Sequence, residues 1–137
     1  INTHPVASRD GDWSRTGRFY ELHRAQLAAI TAVVQSVEVP AVVCGDFNVD
    51  RDSDLFGSFA ETAGLADVFE GSCPPTFRRE YLPAGEEPHC IDFILTGPGL
   101  KAESAEVLFG AAGHLASGPA YVSDHVGLKA RMLLTSP

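Results

Sequence analysis

The sequence lacks long hydrophobic runs. No stretch of 18 consecutive apolar residues occurs in its 137 residues, so no helix that could span a membrane is predicted. Internal repeats and low-complexity segments are also missing. Apolar residues make up 45% of the chain and charged residues 20%, as is typical of a globular protein with its own core. We therefore expect residues 1–137 to form a single structural unit without a long disordered tail.

Positive charge is scarce. Ten lysines and arginines stand against 18 acidic residues, which gives a net charge of −8, and the longest basic cluster is Arg78-Arg79. Such a surface repels nucleic acid unless a basic patch or a divalent cation compensates. Broad, tight binding of nucleic acid is therefore not expected, whereas a phosphate bridged by a metal ion is compatible with this charge.

Cysteine is also rare, with Cys44, Cys73 and Cys90 as the three examples. An odd number of cysteines argues against a disulfide scaffold. A zinc site built from these residues and His89 is conceivable, but the close C-x-x-C pairs of such sites are absent. Reduced thiols in a reducing compartment are the simpler expectation. They slightly favour a cytoplasmic location, which the sequence otherwise leaves unknown.

Two helices are predicted from periodicity. Residues 18–37 carry a stripe at intervals of three and four that Leu27 and Val34 widen, and His23 is expected on the helix surface. The stripe consists of Phe19, Leu22, Gln26, Ile30, Val33 and Val37. Residues 53–63 predict a second helix, with Asp52 or Ser53 as its N-cap and Gly64 as its end.

Short apolar runs predict buried strands at residues 41–44 and 90–96, and looser patterns predict strands at 105–109 and 126–134. Residues 71–89 contain four prolines and predict a long loop, and the small residues 110–119 predict another. Strands joined partly by helices and partly by loops predict an α/β (α+β) fold. In it, a mixed β-sheet carries helices on one face.

Polar residues stand at the ends of apolar strands, or inside them, at four places. These are residues 2–4 (NTH), Asp46 with Asn48, Asp92, and Asp124 with His125. Most have an ordinary explanation as turns, caps or a satisfied histidine. Asp92 is the hardest to explain in this way, because a carboxylate buried without a partner costs on the order of several kcal/mol. Its expected partner is a histidine or a metal ion.

Together these residues fit metal-assisted hydrolysis of a phosphate ester. Mg²⁺ prefers hard oxygen ligands, and a histidine held by a carboxylate can activate water. A protonated histidine and an asparagine amide can stabilise charge that develops on phosphate oxygens. The four places supply three carboxylates, two histidines and the amide of Asn48.

In this order, NTH (2–4), GDFN (45–48), IDFIL (91–95) and SDH (123–125) resemble the C-terminal half of an endonuclease/exonuclease/phosphatase superfamily protein. The superfamily includes deoxyribonuclease I-like nucleases, inositol polyphosphate phosphatases and neutral sphingomyelinases. The resemblance implies a phosphate-ester hydrolase that uses Mg²⁺, or Mn²⁺ or Ca²⁺. A lipid head group, a nucleotide or an inositol phosphate would be its substrate. A DNA or RNA nuclease is an alternative that the net charge disfavours.

The resemblance also implies a role for each motif residue. His125 would be the base that activates the attacking water, and Asp92 the carboxylate that orients it. Asp46 and Asn48 would position the nucleophile and contact the phosphate, and His4 would contact or protonate a phosphate oxygen. The residues on the metal side would be Asp46, Asn48 and Asp124.

In this superfamily a first half of similar size precedes the NTH strand and completes a four-layer α/β/β/α sandwich. That half carries an asparagine and a glutamate, the glutamate being the principal metal ligand. Residues 1–137 are therefore expected to be a C-terminal half that is incomplete as an enzyme. Its sheet would present an apolar face to the missing N-terminal half or to a homodimer partner.

Two questions stay open at this level. Trp13 and the following segment YELHRAQL (20–27) resemble neutral sphingomyelinase-like phosphodiesterases, and Trp13 either covers the edge of the core or contacts substrate. A non-catalytic scaffold or interaction domain that keeps the fold is the alternative to an enzyme, because the principal metal ligand would be absent from this chain.

Overall fold

The apolar runs become the central strands of a mixed sheet in the computed structural model, which describes residues 1–8, 10–116 and 118–135. Over these ranges the chain forms helices α1 (Tyr20–Ser36) and α2 (Asp54–Ala63) and a 3₁₀ turn at Arg79–Tyr81. Its strands are β1 (Asn2–Thr3), β2 (Val42–Asp46), β3 (Ala66–Asp67), β4 (Asp92–Thr96), β5 (Leu100–Leu108), β6 (Gly113–Leu115), β7 (Gly118–Ala120) and β8 (Gly127–Leu134). No helix in the described part of the chain is long and apolar enough to cross a membrane.

The central sheet has the strand order β1-β2-β4-β3, with β1 parallel to β2 and β4 antiparallel to both β2 and β3. Side chains alternate between the faces of a strand. Val43, Phe93 and Leu95 therefore share one face, on which they are fully buried or nearly so. Asp46 and Asp92, which lie directly opposite each other across the strand pair, share the other face. The expected mixed α/β architecture is confirmed.

Four phenylalanines join the helices to the sheet. The rings of Phe56 and Phe93 stack with centroids 4.1 Å apart, and Phe47 packs edge-on against Phe93 at 5.4 Å. Phe59 contacts both Phe47 and Phe56. Aromatic contacts of this kind bury a large apolar area, so this cluster fixes α2 against the ends of β2 and β4.

Helix α2 begins and ends as the sequence predicts. Ser53 is the N-cap, and its Oγ accepts a hydrogen bond from the backbone N–H of Phe56 at 3.2 Å. Gly64 ends the helix in the left-handed conformation, with φ at 65°.

The buried face of α1 differs from the predicted stripe by a rotation of about one residue. His23, Leu27, Thr31 and Val34 are buried, whereas Val33 is 49% exposed. The expectation that His23 lies on the helix surface was therefore wrong. Two polar groups on this face have hydrogen-bond partners: His23 Nε2 lies 2.7 Å from the Val6 carbonyl, and Thr31 Oγ1 donates to the Leu27 carbonyl. The other ring nitrogen of His23, Nδ1, is buried without a partner among the described residues.

Strands β5 and β8 form a separate two-stranded antiparallel ribbon and do not extend the central sheet. The strand expected at 105–109 is longer, because a ribbon exposed on much of its surface does not need a continuous apolar run. The loop expected at 110–119 instead contains the β6–β7 hairpin, with Ser117 itself outside the described residues. Residues 71–89 lack strands, as expected, and contain the 3₁₀ turn.

Gly45 permits the close approach of β1 to β2. Its φ of 138° is strained for other residues, and a Cβ there would lie 2.0 Å from the Thr3 carbonyl oxygen. In the resulting parallel register Thr3 lies opposite Gly45. His4, which follows β1, is thereby carried next to Asp46.

Candidate active site

Two carboxylates and an imidazole converge where β2 and β4 meet the loops. One side-chain ligand atom from each of Asp46, Asp92 and His125 lies within 4.8 Å of the other two. The antiparallel register brings the two carboxylates together, since Asp46 and Asp92 are direct cross-strand partners. His125 arrives from the loop before β8.

Asp92 and His125 form a hydrogen-bonded pair. Nδ1 of His125 lies 2.7 Å from Oδ2 of Asp92, and both side chains are about one-fifth exposed, at 22% and 18%. This hydrogen bond raises the pKa of His125 above its ordinary value, with the negative charges of Asp92 and Asp46 adding to the effect against desolvation. The Phe77 ring packs against the imidazole in a T-shaped contact, with ring centroids 4.9 Å apart. Because Nδ1 faces the carboxylate, Nε2 is directed away from it.

Asp46 connects two further predicted residues, His4 and Asn48, to this pair. Its Oδ1 accepts a hydrogen bond from the backbone N–H of Asn48 at 2.8 Å. Its Oδ2 lies 3.6 Å from Nε2 of His4 and 3.9 Å from Nε2 of His125. Burial raises the pKa of Asp46, and the nearby charge of Asp92 raises it further, against the opposing effect of the Asn48 hydrogen bond. The side chain is thus poorly solvated and carries a charge beside a like charge.

Asn48 takes up a conformation that few residues tolerate, with φ at 51°. Asparagine is among the residues that adopt it most readily, which explains an amide two residues after the end of β2. Its Nδ2 donates to the Pro5 carbonyl at 3.0 Å, and its own carbonyl accepts from the indole Nε1 of Trp13 at 2.9 Å. These contacts tie the segment after β1 and the Trp13 loop to the site.

Asp124 stands apart from the other predicted residues. Its side chain is exposed, and its Oδ1 accepts a hydrogen bond from Ser123 Oγ at 3.2 Å. Asp124 does not belong to the Asp46–Asp92–His125 group, although its charge contributes to the raised pKa of His125. Its role as a metal ligand stays a prediction, as do the individual roles of the other site residues.

A cavity of about 470 Å³ adjoins the site. It shares Asn48 and Phe77 with the site, and the rings of Trp13 and Tyr81 also line it. Trp13 is half-buried, packs against the core and lines the cavity at the same time. Its position therefore fits both of its predicted functions, which are to cover the edge of the core and to contact substrate.

Sequence reasoning missed a second contact between a histidine and an aspartate beside this cavity. Nδ1 of His89 lies 3.2 Å from Oδ2 of Asp50, and the ring of His89 contacts Trp13 edge-on with centroids 4.8 Å apart. The sequence alone predicts a role for His89 only as part of a zinc site. The signal that was available is the position of Asp50, which lies two residues after Asn48 on the same loop.

The site fits a divalent cation better than it fits zinc bound by thiols. Carboxylate oxygens and an asparagine amide are hard donors of the type that Mg²⁺ and Ca²⁺ prefer. A cation would also relieve the repulsion between the paired carboxylates, which contributes to the raised pKa of Asp46. Among the residues described, the three cysteines are free, and none belongs to the Asp46–Asp92–His125 group.

Comparison with known proteins matches the chain to a family. The sequence model of the Endonuclease/Exonuclease/phosphatase family matches residues 5–125. A search of curated protein sequences found no match.

Solved structures share the fold. An endonuclease/exonuclease/phosphatase from Bacteroides vulgatus is 27% identical with a TM-score of 0.64, over 84% of this chain and 45% of its own. The mannosyl-6-phosphatase Bt3783 from Bacteroides thetaiotaomicron is 21% identical with a TM-score of 0.66, over 97% and 50%. The catalytic domain of human Nocturnin with a bound sulfate anion is 24% identical with a TM-score of 0.63, over 98% and 46%. The chain thus spans about half the length of each of these structures.

Proposed function

Because the chain belongs to the endonuclease/exonuclease/phosphatase family, whose members act on phosphate esters, we propose that it carries part of the active site of a metal-dependent phosphate-ester hydrolase. The observation that carries this proposal is the geometry of His125. Its Nδ1 is held by Asp92 at 2.7 Å, while its Nε2 faces Asp46 across 3.9 Å. A base held in this way has one nitrogen free to accept a proton from water.

Each residue has a role in this chemistry. Asp92 keeps the Nδ1–H tautomer of His125 and stabilises the imidazolium that forms when Nε2 takes the proton. Asp46 and Asn48 orient the attacking water and contact the phosphate. His4, three-quarters exposed and 3.6 Å from Asp46, donates to a phosphate oxygen as negative charge develops there.

The metal we propose is Mg²⁺, with Mn²⁺ or Ca²⁺ as substitutes. Asp46, Asn48 and Asp124 are the residues of this chain that would hold it. When bound, such an ion polarises the phosphate and offsets the negative charge of the transition state. His125 stays outside this set, since a base needs a nitrogen that is free.

We propose further that the chain is one half of a catalytic domain. The support is its span of about half the length of the matched structures. The face of β2 and β4 opposite the helices carries Cys44 and Ile94, both half-buried, and the ribbon exposes Leu134 at 76%. We expect the other half of the domain, or a second copy of the chain, to cover this surface.

For the substrate we propose a compact phosphate ester whose substituent enters the cavity beside Asn48. Besides aromatic rings, the cavity is lined by Asp10, Glu86 and Glu87, which repel further negative charge. A lipid head group therefore suits it better than a nucleic acid, and a nucleotide or inositol phosphate is intermediate. A neutral sphingomyelinase-like specificity is the more detailed form of this proposal, and a cytoplasmic location stays a prediction.

The test compares variants of the protein that contains both halves of the proposed catalytic domain, here called the intact parent protein, in Mg²⁺. His125→Ala and Asp92→Asn are expected to lower turnover by about 10²–10⁴-fold, because a general base and its orienting partner are lost. His114→Ala is the matched control, since His114 is exposed on β6 outside the site. The proposal fails if the His125→Ala variant hydrolyses glycerophosphocholine, inositol phosphate and a dinucleotide as fast as wild type does.

A scaffold function is the second candidate, and one observation favours it: the chain spans about half of each matched structure. The isolated chain and the intact parent should be assayed side by side with Mg²⁺ and with EDTA. An enzyme predicts activity in the parent that EDTA abolishes. A parent protein that is inactive on every phosphate ester tested would favour the scaffold.

A further inference from the structure

Thr76 is a fully buried threonine that joins the two parts of the site. Its Oγ1 accepts hydrogen bonds from the backbone N–H groups of Ile91 and Asp92, both at 3.0 Å. Its backbone carbonyl accepts from the N–H of Val126 at 2.9 Å. One residue thus binds the start of β4, which carries Asp92, and the residue that directly follows His125.

The next two residues continue the connection. Phe77 forms a β-bridge with His125 and places its ring edge against the imidazole. The backbone N–H of Arg78 donates to the Asp124 carbonyl at 2.8 Å, and the side-chain Nε of Arg78 donates to the Ser123 carbonyl at 2.9 Å. Residues 76–78, here called the clamp segment, therefore hold every residue from 123 to 126 through at least one contact.

The buried guanidinium of Arg78 donates hydrogen bonds to backbone carbonyls. Its side chain donates to the carbonyls of Phe109 and Gly110 as well as Ser123, and it lies over the Tyr121 ring at 4.0 Å. Arg78 is 6% exposed and forms no carboxylate salt bridge within the described residues. A buried charge satisfied in this way fixes loop geometry, because moving any of the carbonyls leaves it partly unpaired.

We propose that Thr76 is a positioning residue that sets the hydrogen bond between Asp92 and His125. The Thr76 hydroxyl binds the backbone next to Asp92, and the Thr76 carbonyl binds the backbone next to His125. The distance between these two backbone segments therefore depends on the position of Thr76. Its importance for turnover rests on the proposed function, whereas its effect on the Asp92–His125 contact does not. The structural half of the proposal can therefore be tested without any substrate.

The critical variant is Thr76→Val, which keeps the shape of the side chain and removes the acceptor for the N–H groups of Ile91 and Asp92. Thr76→Ser restores the hydroxyl and is the rescue variant. Thr31→Val is the matched control, because Thr31 is also buried but bonds only the carbonyl of Leu27 in its own helix.

The first readout is the NMR signal of the His125 Nδ1 proton in the intact protein, with ¹⁵N-labelled histidine and Asp92→Asn to assign it. A hydrogen bond to a carboxylate moves this proton far downfield. We expect Thr76→Val to shift the signal upfield or broaden it beyond detection, and Thr76→Ser and Thr31→Val to leave it unchanged. An unchanged signal in a folded Thr76→Val variant would overturn the proposal.

Thr76→Ala provides a second variant in case Thr76→Val does not fold. Alanine removes the same hydroxyl acceptor without placing a methyl group against the N–H groups of Ile91 and Asp92. The same upfield shift or broadening is expected, and a folded Thr76→Ala variant with the wild-type signal would equally overturn the proposal.

The second readout is steady-state kinetics of the parent protein. We expect Thr76→Val to lower kcat about 10-fold with little change in KM, because a displaced base misaligns the attacking water. Thr76→Ser should restore kcat. Suppose that Thr76→Val shifts the proton signal and that the wild-type protein hydrolyses no phosphate ester. This result would support the positioning of His125 by Thr76 and reject the proposed function. A shifted signal with unchanged kcat would reject the importance of Thr76 for turnover.

Discussion

The two faces of the β2–β4 strand pair serve opposite purposes. On the face covered by the helices, Val43 and Leu95 are completely buried and Phe93 nearly so. On the other face of the same strands, Asp46 and Asp92 stand directly opposite each other and are only partly buried. Like charges in this arrangement destabilise a sheet. The comparison teaches that the helix-covered face stabilises the strand pair, while the face with the carboxylates holds the proposed active site and weakens the pairing.

The largest effect should come from the helix-covered face. Phe93→Ala is expected to lower the free energy of unfolding by about 3–5 kcal/mol, because it removes a ring that contacts both Phe47 and Phe56. Ile94→Ala, one residue further on the opposite face, should cost less than half of that because Ile94 is only half-buried. Urea denaturation measures both, and equal losses would remove the distinction between the faces.

A smaller effect of opposite sign is expected from the other face. Asp46→Asn should raise the free energy of unfolding by about 1 kcal/mol, since it removes a poorly solvated charge beside Asp92 and keeps an acceptor for the Asn48 N–H. The same variant should lose activity. Asp52→Asn is the control, because Asp52 is exposed and lies outside the site, and its effect should stay within about 0.5 kcal/mol. A destabilised Asp46→Asn variant would show that the carboxylate stabilises the fold.

A weaker effect is expected in the pH dependence of the free energy of unfolding. It concerns the face with the carboxylates, because His125 is hydrogen-bonded to Asp92 there. The folded-state pKa of His125 is raised, so its contribution is fully present below its unfolded pKa of about 6.5 and is lost as pH rises through the folded value. The stability difference between wild type and His125→Gln should therefore be larger at acid pH than at alkaline pH. Thermal unfolding in EDTA measures it, and a difference that grew with pH would mean that the sign is wrong.

The smallest effect is expected on the ribbon. Leu134 is 76% exposed, so Leu134→Ser should change the stability of the isolated chain by less than about 0.5 kcal/mol. If a second copy of the chain covers this surface, the same variant should reduce self-association measured by light scattering. Unchanged self-association would leave the other half of the domain as the preferred partner.

The sequence was most informative where local chemistry decides the structure. Ser53 and Gly64 delimit α2 through a cap and a left-handed turn, both of which depend on neighbouring residues. The apolar run that becomes β4 was likewise visible, as was the polar character of Asp92 within it. The register that places Asp92 opposite Asp46 follows from the antiparallel pairing of the end of β2 with the start of β4.

Tertiary contacts decided what the sequence could not predict. His23 is buried because a carbonyl of the chain entering α1 meets its Nε2, and no periodicity signals such a partner. Thr76 lies in a proline-rich loop, and its role depends on residues 15 and 50 positions further along the chain. Strand β3, with two residues, is defined by its pairing with β4 alone.

The cross-strand carboxylates also protect the fidelity of folding. A slip of one residue between β2 and β4 would turn the side chains of one strand to the other face. It would push Asp92 or Asp46 in among the phenylalanines, where an unpaired carboxylate costs on the order of several kcal/mol. The repulsion in the native register is weaker, on the order of 0.2–1 kcal/mol. The charges that weaken the correct pairing therefore penalise the incorrect one more, and they select a single alignment as the chain folds.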